Sequence, residues 1–369
     1  MTRPTTTGRT TARQTMARAT RPAALRVVVV EDSLVQRTHL VRTLEADGDI
    51  VVVGEAENAG EAITLVASVR PDVVTLDLEI PGGGGQHVIE QVMGNSPTPI
   101  LVLSASLTDR TSVPAVEALV AGAVDALPKP STWKAADEAT LRRAVRSLRG
   151  VTVLRHPRAR LRRPPVSGTG TRERPSAAAP NGRHVVAIAA STGGPPALAQ
   201  VLSGLADLRA PVLVVQHIHA DFVNGLVSWM ARESGLPVRL AEHGAALERG
   251  TVYIAGAATH LRVGADRRIV LAGEPRTLHR PSADELFASV AEHVGSDGIG
   301  VVLTGMGDDG AAGLLALRRA GGTTIAQDEK SCAVYGMPRA AVRLGAVMEV
   351  VPLDGIVLAV KRASSRCRT

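Results

Sequence analysis

The sequence is poor in several residue types that mark particular classes of protein. Aromatic residues make up only 2% of the 369 positions, so the hydrophobic cores have to be built from aliphatic side chains. The two cysteines, Cys332 and Cys367, are too few for a disulfide-stabilised scaffold or a zinc site, and they favour a reducing compartment. No apolar run reaches the roughly 18 residues that a membrane span needs. We therefore expect a cytoplasmic protein without membrane insertion.

Acidic residues are scarce in two stretches that are rich in arginine. Residues 1–24 contain five arginines and no acid, and residues 151–183 contain eight arginines and one glutamate. Neither stretch has an apolar period, which predicts a disordered basic arm and a Pro-rich flexible linker. The +7 net charge of the chain is thus concentrated outside the regions predicted to fold. A nucleic-acid-binding domain carries its basic patch on an ordered element, so we expect no nucleic-acid partner.

The linker divides the chain into two segments in which β-rich runs alternate with helical patterns. These segments are residues 25–150 and 184–362, and residues 363–369 remain as a tail. The Val/Ile/Leu-rich runs are typical of strands buried on both faces of a parallel sheet. We predict an α/β protein with two doubly wound parallel-sheet domains, the second a Rossmann-like three-layer α/β/α domain. Residues 251–272 predict additional β structure, including an antiparallel hairpin.

Polar side chains stand at the predicted strand ends of the first domain. Glu31 and Asp32 follow the first run, Asp77 ends the third, Ser104 the fourth and Lys129 the fifth. Ligands of doubly wound sheets bind at the carboxyl ends of the strands. Carboxylates without softer ligands favour Mg²⁺, beside which an aspartate can accept a phosphoryl group. Each residue alone is more typical of a helix cap or turn, but the five together indicate phosphoryl transfer.

With this arrangement, residues 25–150 resemble the receiver domain of two-component response regulators, which has a flavodoxin-like fold. The resemblance implies that Asp77 is the phospho-acceptor, that Ser104 is the switch hydroxyl, and that Lys129 is the receiver lysine that precedes a cis proline. It also implies a Mg²⁺ site formed by Glu31, Asp32, Asp77 and the backbone carbonyl of Glu79.

The loop after Asp77 departs from the receiver pattern. Gly82 to Gly85 fill the place where receivers usually carry a Met-Asp-Gly pattern. Glycine loses more conformational freedom on ordering than any other residue. We therefore expect an unusually free loop that leaves the phosphorylation chemistry intact.

In the second domain, Ser191 stands between an apolar run and a helical pattern, in "HVVAIAASTGGPPAL" (184–198). The stretch "STGGPP" alone favours a helix cap or tight turn. A phosphate-binding loop is disfavoured because neither G-x-x-x-x-G-K-[ST] nor G-x-G-x-x-G is present and no lysine stands in the turn.

Two later strand ends favour a nucleophilic serine. His217 and His219 end the run "APVLVVQHIH", and Asp308 and Asp309 end "GIGVVLTGMGDDG". A serine, a histidine and an aspartate at neighbouring strand ends can act as nucleophile, base and orienting carboxylate. The order Ser…His…Asp and the stretch "AASTG" do not match the G-x-S-x-G elbow of α/β-hydrolases. A metal site at the two histidines is disfavoured because no third ligand has suitable spacing.

Five stretches of the second domain carry a second resemblance: "AASTGG", "VVQHI", "LTGMGDDGAAGL", "RPSADELFASVAEHVG" (280–295) and "QDEKSCAVYGMPRAA" (327–341). They resemble the signatures of chemotaxis protein-glutamate methylesterases over essentially all of 184–362, and a receiver in front completes that family's domain order. The resemblance implies a catalytic triad of Ser191, His217 and Asp309. It places the oxyanion site at Thr192 and the backbone of Met306.

The resemblance implies a phosphorylation-activated enzyme. Its substrates would be glutamate γ-methyl esters on chemoreceptors, and receptor glutamines by deamidation. The phosphodonor would be a chemotaxis histidine kinase, and the unphosphorylated receiver would cover the active site. Mg²⁺ would serve the receiver only, with no cofactor for the esterase reaction, and we expect a monomer.

Two rival interpretations stay open at this point. A receiver fused to a transcriptional regulator would need a basic recognition helix, which residues 184–362 do not show. An esterase of the same fold could also act on a different substrate. Within 280–295, Ser282 and Glu285 have the spacing of a capping box, and a receptor contact is the alternative interpretation.

Overall fold

The computed structural model describes residues 23–105, 112–151, 153 and 183–365. The predicted basic arm up to residue 22 and the predicted linker at 152 and 154–182 lie outside them. No helix within the described ranges has the length and apolarity needed to cross a bilayer.

The first domain is a five-stranded parallel sheet with the strand order β2-β1-β3-β4-β5 and helices between the strands. This is the predicted flavodoxin-like fold. Its elements are β1 (Leu25–Val30), α1 (Leu34–Glu45), β2 (Ile50–Ala56), α2 (Ala59–Val69), β3 (Val73–Asp77), α3 (Gly84–Asn95), β4 (Ile100–Ala105), α4 (Ser112–Ala121), β5 (Asp125–Lys129) and α5 (Ala135–Ser147).

Local sequence explains where the first helices begin. Ser33 accepts a hydrogen bond from the Gln36 N–H in front of α1, and Asn58 accepts one from the Glu61 N–H in front of α2. These side chains satisfy N–H groups that would otherwise lack a partner in the first helical turn.

Strand β3 is buried along its whole length, as expected for a central parallel strand.

The second domain is a seven-stranded parallel sheet with the order β14-β13-β12-β6-β7-β9-β8, plus a separate two-stranded sheet. Its elements are β6 (Val185–Ala190), α6 (Gly194–Gly204), β7 (Val212–Gln216), α7 (Val223–Ser234), β8 (Val238–Leu240), β9 (Val252–Ile254), β10 (His260–Val263), β11 (Ile269–Ala272), α8 (Ala283–His293), β12 (Gly298–Val302), α9 (Ala311–Arg319), β13 (Thr323–Gln327), α10 (Met337–Arg343), β14 (Glu349–Val351) and α11 (Leu353–Ser365).

The predicted hairpin within 251–272 is confirmed in part. Strands β10 and β11 pair antiparallel, but the run "TVYIAG" forms β9, which joins the main parallel sheet between β7 and β8. Strands β8 and β14, each of three residues, were not predicted. Helix α11 continues to Ser365, three residues beyond the domain end predicted at 362.

The prediction of a cis proline after Lys129 is wrong. Among the described residues, the cis X-Pro bonds precede Pro275 and Pro281. The trans form is favoured by about 0.5–1 kcal/mol at an X-Pro bond, and Pro130 keeps it.

The two domains contact each other through the receiver's α4. This helix packs against α6, α7 and the 3-10 turn at 220–222. Glu117 on α4 lies 3.3 Å from the guanidinium of Arg232 on α7. Both side chains are about half exposed, so the pair adds little stability and the apolar contact carries most of the interface.

Candidate active site and phosphorylation site

Three carboxylates meet at the carboxyl edge of the receiver sheet. Oxygen atoms of Glu31, Asp32 and Asp77 all lie within 4.8 Å of one another. Glu31 and Asp77 are 1% and 3% exposed, whereas Asp32 is open to solvent. A set of hard oxygen donors with one side open fits a partly hydrated Mg²⁺, the ion that receivers bind. The main chain of Glu79 is also at this site, since its N–H donates to Asp77 Oδ1 at 3.0 Å.

Lys129 neutralises the two buried carboxylates. Its Nζ donates to Glu31 Oε2 at 3.0 Å and to Asp77 Oδ2. Burial raises the pKa of Glu31, against the opposing effect of the lysine. Burial alone would lower the pKa of Lys129, but the hydrogen bonds to Asp77 and Glu31 outweigh it and raise that pKa. A phosphoryl group on Asp77 would therefore find a cation that is already in place.

Ser104 lies on the same edge of the sheet. It is 9% exposed and pairs with Pro128 in the β4–β5 register, one position before the pair formed by Ala105 and Lys129. The structure thus places these receiver residues at one edge of the sheet: Glu31, Asp32, Asp77, Ser104 and Lys129.

The glycine loop is closely packed at its end, since Gly82 and Gly83 are exposed whereas Gly85 is buried. Gly82, Gly83 and Gly84 have φ values of 84°, 116° and 76°, a left-handed path that other residues rarely adopt. Gly85, in the first turn of α3, is buried and donates from its N–H to the Leu78 carbonyl at 2.9 Å. A Cβ on Gly85 would lie 2.7 Å from the carbonyl oxygen of Asp77. The loop therefore lets α3 touch the backbone of β3 at Asp77.

We expect Gly85→Ala to destabilise the receiver by about 1–3 kcal/mol, since α3 has to move away from β3. Gly94 on the same helix is the matched control, because a Cβ there meets nothing within 4 Å. Gly94→Ala should raise stability by about 0.5–1 kcal/mol. Calorimetry of the full chain measures both. Equal melting temperatures for the two variants would contradict the close packing of Gly85 against β3.

Ser191 lies in a tight turn at the end of β6. The last residue of β6, Ala190, pairs with Gln216 at the end of β7, so Ser191 and His217 leave adjacent strands at the same level. The Ser191 N–H donates to the Thr304 carbonyl at 3.0 Å, and its own carbonyl accepts from the Gly194 N–H at 2.8 Å. These bonds fix the backbone of a half-buried serine at the start of α6, where the helix dipole favours negative charge.

His217 is held by one ring nitrogen and has the other unengaged. Its Nε2 lies 2.8 Å from Asp309 Oδ2, while Nδ1 is buried and has no hydrogen-bond partner among the described residues. The carboxylate therefore fixes the proton on Nε2 and leaves the Nδ1 lone pair available as a base. The chymotrypsin triad uses the two nitrogens the other way round. His279 stacks on the imidazole at 4.5 Å between ring centroids.

Asp309 accepts four hydrogen bonds. Oδ1 accepts from the Ser282 hydroxyl at 2.8 Å and the Asp284 N–H at 3.1 Å. Oδ2 accepts from the Ala283 N–H at 2.7 Å and from His217. Burial alone would raise the pKa of Asp309, but the bonds from His217 and the backbone hold it far below its usual range. The neighbouring Asp308 is exposed, so the buried carboxylate of the "GDDG" turn is the second.

Thr192 and Met306, the predicted oxyanion residues, lie on neighbouring turns. Thr304 lies two residues before Met306, and its hydroxyl donates to the Thr192 carbonyl at 3.0 Å. This bond connects the two turns. The Val334 N–H donates back to that hydroxyl at 3.0 Å. Met306 follows Gly305, whose N–H donates to the Val334 carbonyl.

Sequence reasoning missed Thr304 and His279. Thr304 could have been found, since it lies inside the "LTGMGDDG" signature. The role of His279 depends on a tertiary contact, so no spacing in the sequence indicates it. Burial and the nearby His217 lower the pKa of His279, which keeps a second positive charge away from His217.

The capping box predicted for α8 forms only in part. Ser282 accepts from the Glu285 N–H at 3.4 Å, as expected of an N-cap. The reciprocal bond is absent because the Ser282 N–H donates to Nδ1 of buried His260, and the Glu285 carboxylate pairs with Arg262 instead. The Ser282 hydroxyl is thereby committed to both the helix and Asp309.

Two cavities lie where the receiver meets these turns. One of about 260 Å³ is lined by Leu119 and Ala123 of the receiver and by Gly193 and Thr304 of the second domain. The other, about 840 Å³, has the end of the receiver's α5 on one side and Met306 to Asp308 on the other. The receiver therefore stands against the turns that carry Thr192 and Met306.

Comparison with known proteins gives the same division of the chain. The family profile described as CheB methylesterase matches residues 186–360, and that of the response regulator receiver domain matches residues 27–141. A protein-glutamate methylesterase/protein-glutamine glutaminase of Anaeromyxobacter dehalogenans is 43% identical over 91% of this chain and 96% of its own length. A protein-glutamate methylesterase/protein-glutamine glutaminase of Caulobacter vibrioides is 41% identical over 90% of this chain and 96% of its own length.

Among solved structures, the CheB methylesterase catalytic domain of Thermotoga maritima is similar at 34% identity. The match covers 48% of this chain and 97% of the Thermotoga domain, with a TM-score of 0.47. The identity to full-length relatives, over nine-tenths of both chains, decides the assignment. The chain belongs to the CheB methylesterase family of carboxylic ester hydrolases, and its receiver domain implies control by phosphorylation.

Proposed function

We propose that this chain hydrolyses glutamate γ-methyl esters on chemoreceptors, using a Ser191–His217–Asp309 triad, and that phosphorylation of Asp77 activates it. The observation that carries the proposal is the His217–Asp309 pair at 2.8 Å beside Ser191 on the adjacent strand end. The names of the relatives supply the substrate class, since they are protein-glutamate methylesterases and protein-glutamine glutaminases.

Acylation begins with attack of Ser191 Oγ on the γ-carbonyl carbon, while His217 Nδ1 takes the hydroxyl proton. Asp309 stabilises the imidazolium that forms. The backbone N–H groups of Thr192 and Met306 would hold the oxyanion, which is commonly the largest contribution to such catalysis. The imidazolium then gives its proton to the departing methoxide, which leaves as methanol.

Deacylation repeats these steps with water. His217 Nδ1 takes a proton from the water molecule, hydroxide adds to the acyl carbon, and the proton returns to Ser191 Oγ. The bond between the acyl carbon and Ser191 Oγ breaks in this step, and the γ-carboxylic acid releases its proton to solvent to give a glutamate carboxylate. With a γ-amide as substrate, ammonia leaves in place of methanol, and the same residues deamidate a glutamine.

The receiver would take its phosphoryl group from a chemotaxis histidine kinase. Mg²⁺ bound by Glu31, Asp32, Asp77 and the Glu79 carbonyl would neutralise charge on the transferring group. Asp77 Oδ would attack the phosphorus as the phosphorus–nitrogen bond to the kinase histidine breaks, and the imidazole would leave with a proton from solvent. Lys129 would stabilise the product charge, and the Ser104 hydroxyl would hydrogen-bond the new phosphoryl oxygens.

The domain contact explains how phosphorylation can act on the esterase. Helix α4 is the next described element after β4, which carries Ser104, and it packs on α6, the helix that starts beside Ser191. A movement of Ser104 toward the phosphoryl group would shift α4 and separate the receiver from the active-site turns. This is gating by a movable domain.

Asp77→Asn tests the proposal. We expect acetyl phosphate to increase methanol release from methylated receptor membranes with the native chain and to give no increase with Asp77→Asn. Asp72, an exposed carboxylate just before β3, is the matched control, and Asp72→Asn should respond like the native chain. Stimulation of Asp77→Asn to the native level would exclude Asp77 as the acceptor.

The rival transcriptional regulator receives no support from the fold. Residues 183–365 form an α/β domain around a seven-stranded sheet, rather than a helical DNA-binding domain. We further propose that the enzyme works as a cytoplasmic monomer without a nucleic-acid partner.

A further inference from the structure

The stretch 280–295 does more than cap its own helix. The backbone N–H groups of Ala283 and Asp284, in the first turn of α8, both donate to Asp309. Such N–H groups lack partners inside the helix and need an acceptor. The triad carboxylate therefore supplies the N-terminal cap of α8 together with Ser282.

Helix α9, which begins two residues after Asp309, has the converse arrangement. Its own N-cap is Gly310, which has no side chain to offer. The acceptor comes from α8 instead, because Asp284 Oδ1 accepts from the Gly313 N–H at 2.7 Å. The backbone N–H groups of Gly310 and Ala312 also favour the charged form of Asp284, although burial raises its pKa overall.

The two helices thus cap each other with carboxylates. Asp309, just before α9, holds the start of α8, and Asp284, on α8, holds the start of α9. A Cβ on Gly313 would lie 2.3 Å from the Asp284 carbonyl oxygen, so the two main chains are in direct contact. A shift of the start of α9 would therefore move Asp309, which caps α8, and a shift of the start of α8 would move Asp284, which caps α9.

We propose that Asp284 is a positioning residue for the esterase reaction: by holding the start of α9 against α8, it keeps the Asp309 carboxylate aligned with Nε2 of His217. The proposal rests on the proposed function, because the aligned pair is the base and carboxylate of that triad. Asp284 has no hydrogen bond to His217 and acts through Asp309.

Loss of this alignment has a signature that simple destabilisation lacks. A well-placed Asp309 stabilises the imidazolium of His217 through the hydrogen bond to Nε2. A looser Asp309 should stabilise the imidazolium less, and the acid limb of the pH profile should move to lower pH. Among the described residues, His279 stacks on the His217 ring and Asp308 acts electrostatically on His279, and neither variant below alters these two residues.

The test compares Asp284→Ala and Asp284→Asn in the full chain. We expect kcat for methanol release from methylated receptor membranes to fall about 10- to 100-fold in Asp284→Ala, with KM within about twofold, as small misplacements of catalytic groups do. Asp284→Asn keeps a neutral acceptor for Gly313 and should lose only about threefold. The acid limb should move down by about half a pH unit in Asp284→Ala and by less in Asp284→Asn.

Asp354 is the matched control, an exposed carboxylate in the first turn of α11, and Asp354→Ala should keep the native kcat and pH profile. The proton NMR resonance of His217 Nε2–H, which is hydrogen-bonded to Asp309, gives a readout that needs no esterase activity. If the native chain releases no methanol, the proposed function fails, while an upfield shift of this resonance in the Asp284 variants still supports the positioning role. A native kcat and a native resonance in Asp284→Asn and in folded Asp284→Ala would overturn the inference. If Asp284→Ala does not fold, the resonance in Asp284→Asn decides alone.

Discussion

Ser191→Ala should reduce methanol release from methylated receptors by about 10⁴-fold or more, as loss of the nucleophile does in other serine hydrolases. The fold should survive, because the bonds that fix this turn run through the backbone of Ser191 and not through its hydroxyl. Release of methanol, with circular dichroism as the check on folding, measures the result.

Ser203→Ala is the matched control for that substitution. Ser203 lies near the end of α6, the helix that begins beside Ser191, and its exposed hydroxyl donates only to the Gln200 carbonyl. Its removal should leave the rate close to native. A Ser191→Ala variant that works at the native rate would exclude Ser191 as nucleophile, and an equally damaged Ser203→Ala would point to a folding defect.

Asp309→Asn is expected to lower kcat by about 10⁴-fold, the loss seen when the triad carboxylate of a serine protease becomes an amide. Asp309 is the acceptor in all four of its hydrogen bonds. In asparagine an NH₂ group replaces one carboxylate oxygen, so this donor faces the two donors at the Oδ1 position or the two at the Oδ2 position. If the NH₂ group faces His217, the imidazole is driven into the wrong tautomer, with its proton on Nδ1.

Asp309→Asn should also lower the free energy of unfolding by about 1–3 kcal/mol, since a buried donor is left unsatisfied in either orientation. Asp308→Asn changes the exposed neighbour in the same turn and should affect neither quantity. Kinetics and urea titration of both variants measure the difference. A native rate in Asp309→Asn would remove the carboxylate from the triad.

The strand-end residues could be predicted from sequence because their positions follow from topology. Once the Val/Ile-rich runs are taken as parallel strands, Asp77, Ser104 and Lys129 must meet at one edge. The same reasoning brings Ser191 and His217 to adjacent strand ends, a placement that the β6–β7 register shows.

The supporting contacts could not be predicted, since they depend on the packing of segments far apart in sequence. The Asp309 carboxylate lies 25 to 27 residues from the α8 donors that cap onto it. The glycine loop after Asp77 illustrates the same limit. Composition indicates freedom, whereas only the approach of α3 to β3 shows that Gly85 has to be small.

The most direct test of a gated serine esterase is the rate at which a fluorophosphonate labels the chain, with the modified residue located by mass spectrometry. We predict a single label on Ser191, with faster labelling when beryllofluoride and Mg²⁺ are added to mimic phosphorylated Asp77. Labelling at another residue, or a Ser191 labelling rate unchanged by beryllofluoride, would contradict the combination of a Ser191 nucleophile and a receiver that covers it.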